Sequence, residues 1–292
     1  MKKSILLLLQ NLMFLPVFSQ SVTTEIYLTD MMLKDSIFKF SEPVNITNHD
    51  GYDNQPFFTP DGKHILYVSM PDTLQTDIFQ YTIADSTTIP ITTSAESEYS
   101  PVIFSSRKQY SCVRVDSDKG QRLYNTSFEQ SEPENLIHGL DSIAYYAWLN
   151  DSTVAIAFLN NGMELYIFEL NSGQYVVMDK GIGRCLLKIP GTSDLFYTKK
   201  INDTIKFLRY NYSDASISEF GNGLYDTEDY TFYPDGKLLG GHEGKLFSYT
   251  PGNDAKWMEV ADFSKSAGMF YRLAVSANGK HLAFVSYKGK RP

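Results

Sequence analysis

Short runs of alternating apolar and polar residues, broken by turn-forming residues, recur along most of the chain. One of them is NQPFFTPDGKHILYVS, residues 54–69: an apolar stretch, the turn Pro60-Asp61-Gly62, and alternation from His64 to Val68. Asp-Gly supplies the positive φ angles of a tight hairpin, so the pattern predicts two antiparallel strands. A third strand follows at Ile78 to Tyr81, beyond a polar loop. The arrangement returns as YTFYPDG at 230–236 with KLFSY at 245–249, and as LAVSANGKHLAFVS at 273–286, where Asn278-Gly279 stands for Asp-Gly. Weaker copies are SPVIFSSRKQYSCV (100–113), YAWLNDSTVAIAF (146–158) and LKIPGTSDLFYT (187–198).

Aligned on the turn, the six copies place Gly62, Arg107, Ser152, Thr192, Gly236 and Gly279 at one position, with spacings of 45, 45, 40, 44 and 43. Such a period is too short for an independent domain and suits one four-stranded blade whose faces are buried by its neighbours. The connector Asn45-Ile46-Thr47 is matched by Pro90-Ile91-Thr92 45 residues later. The prediction is therefore an all-β, six-bladed β-propeller of four-stranded antiparallel blades. Its last copy reaches Ser286 with only YKGKRP after it, so an outer strand has to come from elsewhere. Thr24 to Leu28 (TEIYL) resembles the strand Thr76 to Tyr81 (TDIFQY), and placing it on the final blade removes an open edge and closes the ring. A further C-terminal segment is the competing account, with an open or seven-bladed form.

Composition fits packed strands: 42% of residues are hydrophobic, with 20 Tyr and 19 Phe. The first twenty residues differ. Lys2 and Lys3 precede an interrupted apolar run to Phe18, and the small Ser19 precedes Gln20, the pattern of a cleaved secretory signal. We read 1–19 as signal peptide and 20–292 as a single propeller domain, periplasmic or secreted, without stable membrane insertion after cleavage. Loss of Lys2 and Lys3 takes the formal charge from −8 to −10, which argues against nucleic acid as a partner because phosphate binding needs concentrated Lys and Arg. Cys112 and Cys185, the only cysteines, both lie in apolar segments and allow at most one disulfide.

The motif PFFTPDGK at 56–63, with the looser YTFYPDGK ending at Lys237 and LAVSANGK ending at Lys280, resembles the WD40-like (PD40) repeats of the TolB-type six-bladed propeller family. The likeness spans about Thr24 to Ser286, although the second to fourth copies lack the Asp-Gly turn. It implies a periplasmic or exterior location and protein or cell-wall contacts. It implies no reaction, and the sequence has no counterpart of the separate N-terminal domain of TolB proteins, so a full translocation role is not carried over.

Inner strands of a propeller line its channel, and the loops at their entrance form the usual binding face. The six approaches bring Asp53, Asn54, Glu98, Tyr99, Tyr145, Arg184, Glu228, Asp229, Tyr271 and Arg272 toward one end. The acids and arginines can pair with a polar ligand while the tyrosines stack on a side chain or a sugar ring. A protein, peptide or cell-wall glycan is the expected partner, and a non-enzymatic envelope scaffold the expected role. The different-class alternative is a glycosidase or polysaccharide lyase using paired carboxylates in the channel. No catalytic residue is assigned: the five histidines show no H-E-x-x-H and there is no G-x-S-x-G elbow. No cofactor or metal is assigned either; calcium has in its favour only the oxygens of Asp50, Asp53, Asp226 and Asp229, outside any ordered twelve-residue loop.

Overall fold

In a computed structural model of the protein, the described residues are 23–71, 75–103, 109–128, 132–225, 227–253 and 256–287. The predicted signal peptide and Arg107 lie outside them. Every regular element is a β-strand. Four separate four-stranded antiparallel sheets cover residues 97–135, 143–180, 182–222 and 230–262, each in meander order. Each corresponds to one predicted repeat.

The first and last repeats are joined instead into a nine-stranded sheet, so four blades stand alone where six were expected. The joint is narrow: a single parallel pairing of Thr24 with Tyr52. Three hydrogen bonds support it. Thr24 N donates to Gly51 O at 3.0 Å, Thr24 Oγ1 donates to Asp53 O at 2.8 Å, and Asp53 N donates to Thr24 Oγ1 at 3.2 Å.

The N-terminal strand does pair with the C-terminal one. Thr24–Lys34 runs antiparallel to His281–Tyr287, in register from Thr24↔Tyr287 to Asp30↔His281. It is not the outermost strand, however. Beyond Asp30 it continues to Lys34 and turns back as Ile37–Phe40, which pairs with Met31 to Lys34 on the far edge. A polar Asp35-Ser36 turn, both residues at positive φ, separates two apolar runs, so the N-terminal segment supplies a hairpin rather than one strand.

The hairpin turn of the repeats is wider than a two-residue turn. Strands end at Phe58 and resume at His64, and only Gly62 of the Asp-Gly pair has positive φ, at 67°. Gly62 N donates to Thr59 O at 2.8 Å, and the Thr59 hydroxyl donates to Asp61 Oδ1 at 2.6 Å. Asp61 thus caps a type I turn that a left-handed glycine completes. Ser276, Asn278 and Gly279 repeat this network in the last copy.

Strand alternation sends apolar side chains to both faces of each sheet, and adjacent repeats bury them together. Leu66 and Ile78 meet Tyr110 and Cys112; Val113 and Leu123 meet Trp148 and Ile156; Leu165 meets Leu195 and Tyr197. Phe207 meets Tyr230 and Leu238, and Leu239 meets Phe270 and Phe284. Ile26, Ala283 and Val285 of the last repeat then meet Phe58, Ile65 and Tyr67 of the first. Cys112 and Cys185 sit apart in two of these layers as free, buried thiols.

Candidate functional site: the channel throat and its vestibule

Five of the six inner strands carry a register shift, at Asn54/Phe57, Tyr99/Val102, Ile143/Tyr145, Ile182/Leu186 and Tyr271/Ala274. A bulge leaves residues unpaired and re-aims them. Gln55, Ser100 and Arg272 accordingly stand at φ of 50–55°, an uncommon conformation for residues with a Cβ. Their equivalents are Tyr145, Arg184 and Asp229. These six, one from each repeat, surround a throat cavity of about 180 Å³. A vestibule of about 620 Å³ opens above it, with Tyr52, Tyr99, Tyr145, Arg184, Glu228 and Arg272 in its wall. A side cavity of about 490 Å³ is bordered by Glu228, Asp229, Tyr271 and His242.

The charges of the throat are unevenly matched. Arg184 grips Asp229 with both forks: Nε donates to Oδ1 at 3.1 Å and Nη2 donates to Oδ2. Arg272 approaches the same carboxylate, but its Nε stays 3.7 Å from Oδ1, beyond hydrogen-bond range. That Nε is buried without a hydrogen-bond partner. Nη2 of Arg272 donates to the Tyr145 hydroxyl at 3.2 Å, and the guanidinium carbon lies 5.3 Å from the centre of that ring. Burial, the largest single influence, disfavours the Arg272 charge, but Asp229, Tyr145 and Tyr52 together outweigh it and raise the group above its ordinary value. Burial pushes the Tyr52 phenol up to about 12, with Arg272 pulling the other way, so Tyr52 presents a neutral hydroxyl.

Seven of the predicted site residues therefore border these cavities: Tyr99, Tyr145, Arg184, Glu228, Asp229, Tyr271 and Arg272. Asp53, Asn54 and Glu98 do not. Asp53 and Glu98 hold the repeat position that Ile143 and Phe270 fill elsewhere, a buried one facing the neighbouring blade. Because side chains alternate along a strand, placing Tyr52 and Tyr99 at the vestibule turns their neighbours Asp53 and Glu98 away from it. Asp53 lies 3.1 Å from His49 Nε2. Its carboxyl is raised to about 6 by burial, which outweighs Ser69 and His49. Glu98 accepts from Ser94 Oγ and, at 3.2 Å, from Thr92 Oγ1, and burial raises it to about 7. Asn54 spans the joint between the first and last repeats, donating to Tyr271 Oη at 2.8 Å.

Gln55, Ser100 and Tyr52 also line these cavities, although they are not among the candidate residues read from the sequence. Gln55 and Ser100 each precede a proline at the same repeat offset, Pro56 and Pro101, and that offset is the signal that marks the bulge. Two of the acids proposed for calcium have other partners. Asp229 is held by Arg184 and Asp53 faces His49, while Asp226 lies outside the described residues. Among the described residues no three His, Cys, Asp or Glu side chains gather at metal-binding geometry.

Four-stranded antiparallel blades packed face to face around a channel define a β-propeller. Solved structures agree with that fold. A protein from Agrobacterium tumefaciens assigned as a TolB superposes with a TM-score of 0.70 at 11% identity, over 92% of this chain and 100% of that one. TolB from Acinetobacter baumannii gives 0.58 at 10% identity, over 92% of this chain and 65% of that one. An oligogalacturonate lyase in complex with manganese gives 0.59 at 13% identity, over 84% and 80%. At these identities the likeness is one of fold: the chain has TolB-type propellers as structural neighbours. No protein-family model matches the sequence, and no curated protein does.

Proposed function

We propose that the chain is an exported, non-enzymatic propeller of six blades that binds a protein or peptide partner at the channel mouth, as a cell-envelope scaffold. The six-blade count is supported by six apolar interfaces in cyclic order, the sixth between the last repeat and the first. On this reading the nine-stranded sheet is two blades that touch at one residue pair. Export rests on the N-terminal Lys2-Lys3 and apolar run. No helix among the described residues is long and apolar enough to cross a membrane.

The observation that carries the binding role is the throat itself, where six side chains from six repeats converge on one small cavity beneath a tyrosine-lined vestibule. Rigid strands hold these groups in place, which lowers the ordering cost of binding. Catalysis by a pair of carboxylates finds less support, because Asp229 is held by both forks of Arg184 and Asp53 and Glu98 face the blade interfaces. A cell-wall glycan partner has the tyrosines in its favour but the aliphatic side of the vestibule, Val113, Val115, Leu159 and Met163, against it.

A photo-crosslinking amino acid at Tyr99, on the vestibule wall, compared with one at the exposed outer-edge residue Met258, tests the reading in cells. A discrete crosslinked partner from position 99 and none from 258 supports it. Partners captured from 258 alone move the interaction surface to the outer edges.

A further inference from the structure

We infer that the throat receives the C-terminal carboxylate of a peptide whose last side chains are apolar, with Arg272 as the group that recognises the carboxylate. This inference rests on the channel-mouth reading and adds a ligand chemistry to it.

The starting point is a mismatch in hydrogen bonding. Two guanidiniums face one carboxylate at the throat, and Arg184 already occupies both oxygens of Asp229. Arg272 keeps the ion pair at 3.7 Å but has no hydrogen bond for its buried Nε. A buried donor without an acceptor is costly, and a charged one more so. The remaining throat residues, Gln55, Ser100 and Tyr145, are neutral, so the inner ring carries two positive charges and one negative. Its missing complement is a planar anion with two acceptor oxygens, which is what a guanidinium fork binds best.

The surroundings narrow the anion to a class. A cavity of about 180 Å³ admits a carboxylate together with the residue that carries it; a single sugar ring has a similar volume, so the class of ligand is set by the charge below and the wall above. The vestibule above has room for two or three residues of an extended chain. On the side of the second and third repeats its wall is aliphatic, with Val113, Val115, Leu159 and Met163, and this wall suits apolar side chains next to the carboxylate. Gln55 helps to shape the port: its Oε1 accepts from Ser100 N at 2.7 Å, which fixes the amide across the bulges of two adjacent strands. The rim also holds one opposing charge, Glu228, in the same vestibule. Bound carboxylate and Glu228 repel each other, so Glu228 sets a limit on affinity that its removal should lift.

The test is calorimetric titration of the full chain with N-acetyl-Ala-Ala-Val-Leu as free acid and as C-terminal amide, and with a uronate trisaccharide. The free acid should bind wild type at least tenfold more tightly than the amide. Arg272→Gln should bring that ratio close to one, with the circular-dichroism spectrum as the check on folding. Glu228→Gln, at the rim, should raise the ratio of acid to amide binding several-fold, and this holds whether or not the Arg272 variant folds. Equal binding of acid and amide overturns the carboxylate assignment while leaving a channel-mouth peptide site. Uronate binding that depends on Arg272, with no peptide binding, overturns the peptide class. No binding of any probe to wild type overturns the inference; the crosslinking from Tyr99 then decides the channel-mouth reading separately.

Discussion

Replacing Asp53 with asparagine should make the protein more stable at pH 8 and change how its stability depends on pH. The Asp53 side chain is fully buried where the first and last repeats meet. Its surroundings come from three segments. Glu25 on the N-terminal strand adds like charge, His49 stands 3.1 Å away in the preceding loop, and Ser69 and Thr47 offer hydroxyls. Burial dominates and raises the carboxyl from 3.8 to about 6. Between these two values the folded state holds a proton that the unfolded chain has released. The stabilising contribution is therefore complete below about pH 4 and is lost as pH rises through about 6. Two pH units at about 1.4 kcal/mol each make the penalty at pH 8 about 3 kcal/mol. The asparagine side chain of Asp53→Asn carries no such penalty. Urea unfolding followed by tryptophan fluorescence at pH 4, 5, 6, 7 and 8 should show the variant gaining on wild type by up to about 3 kcal/mol across the series. A stability difference that stays constant from pH 4 to 8, or a variant weaker at pH 8, would mean that the charged carboxylate is favourably paired where it sits.

Three shorter predictions concern the scaffold. Ile26→Ala removes a fully buried side chain at the interface between the last and first repeats and should cost about 2–5 kcal/mol in chemical unfolding, as Ile156→Ala should at an interior interface. A loss under about 1 kcal/mol for Ile26 alone would show that the ring is not closed there. Gly62→Val and Gly236→Val place a β-branched residue at φ of 67° and 94° and should each cost at least about 1–2 kcal/mol. At Gly236 a Cβ meets nothing within 4 Å, so its loss isolates the backbone cost; an unchanged midpoint for that variant refutes the turn argument. Burial pushes the Cys112 thiol up and the Cys185 thiol up to about 12, so iodoacetamide should label neither until denaturant is added. Labelling of either one under native conditions would contradict its burial.

Repetition makes the scaffold readable. Six hairpins at a near-constant spacing predict blades without any knowledge of long-range contacts, and the pairing of Thr24–Lys34 with His281–Tyr287 follows from the unpaired edge that the last copy leaves. The hairpin Ile37–Phe40 is harder to read, because its pairing begins only after the strand has passed beyond its long partner. Bulges account for the misplaced site residues. A strict alternation from Pro56 backwards fails at Asn54/Phe57, where two residues leave the ladder, so counting along the sequence cannot say which of Asp53, Asn54 and Gln55 reaches the channel. Gln55 does, and Asp53 faces the interface. The same slip turns Glu98 away and brings Ser100 in.

The contrast between interface and throat positions bears on why function should lie in the channel at all. Across the six repeats most interface positions are filled by interchangeable apolar residues, with Asp53 and Glu98 as exceptions, since any well-packed pair of sheets satisfies the same requirement. The bulge position is geometrically just as repetitive, yet it is filled by glutamine, serine, tyrosine, arginine, aspartate and arginine. Packing does not call for that variety. Three of these groups carry a cost that apolar residues would avoid: a partly buried Arg184 tied to a nearly buried Asp229, and an Arg272 whose Nε lacks a hydrogen bond. A ring whose members differ in charge and shape presents one orientation to an incoming group, whereas six like residues would present six. The asymmetry places positive charge on the fourth and sixth repeats and apolar surface on the second and third, so the proposed ligand, with an anionic end and an apolar flank, should bind in one orientation.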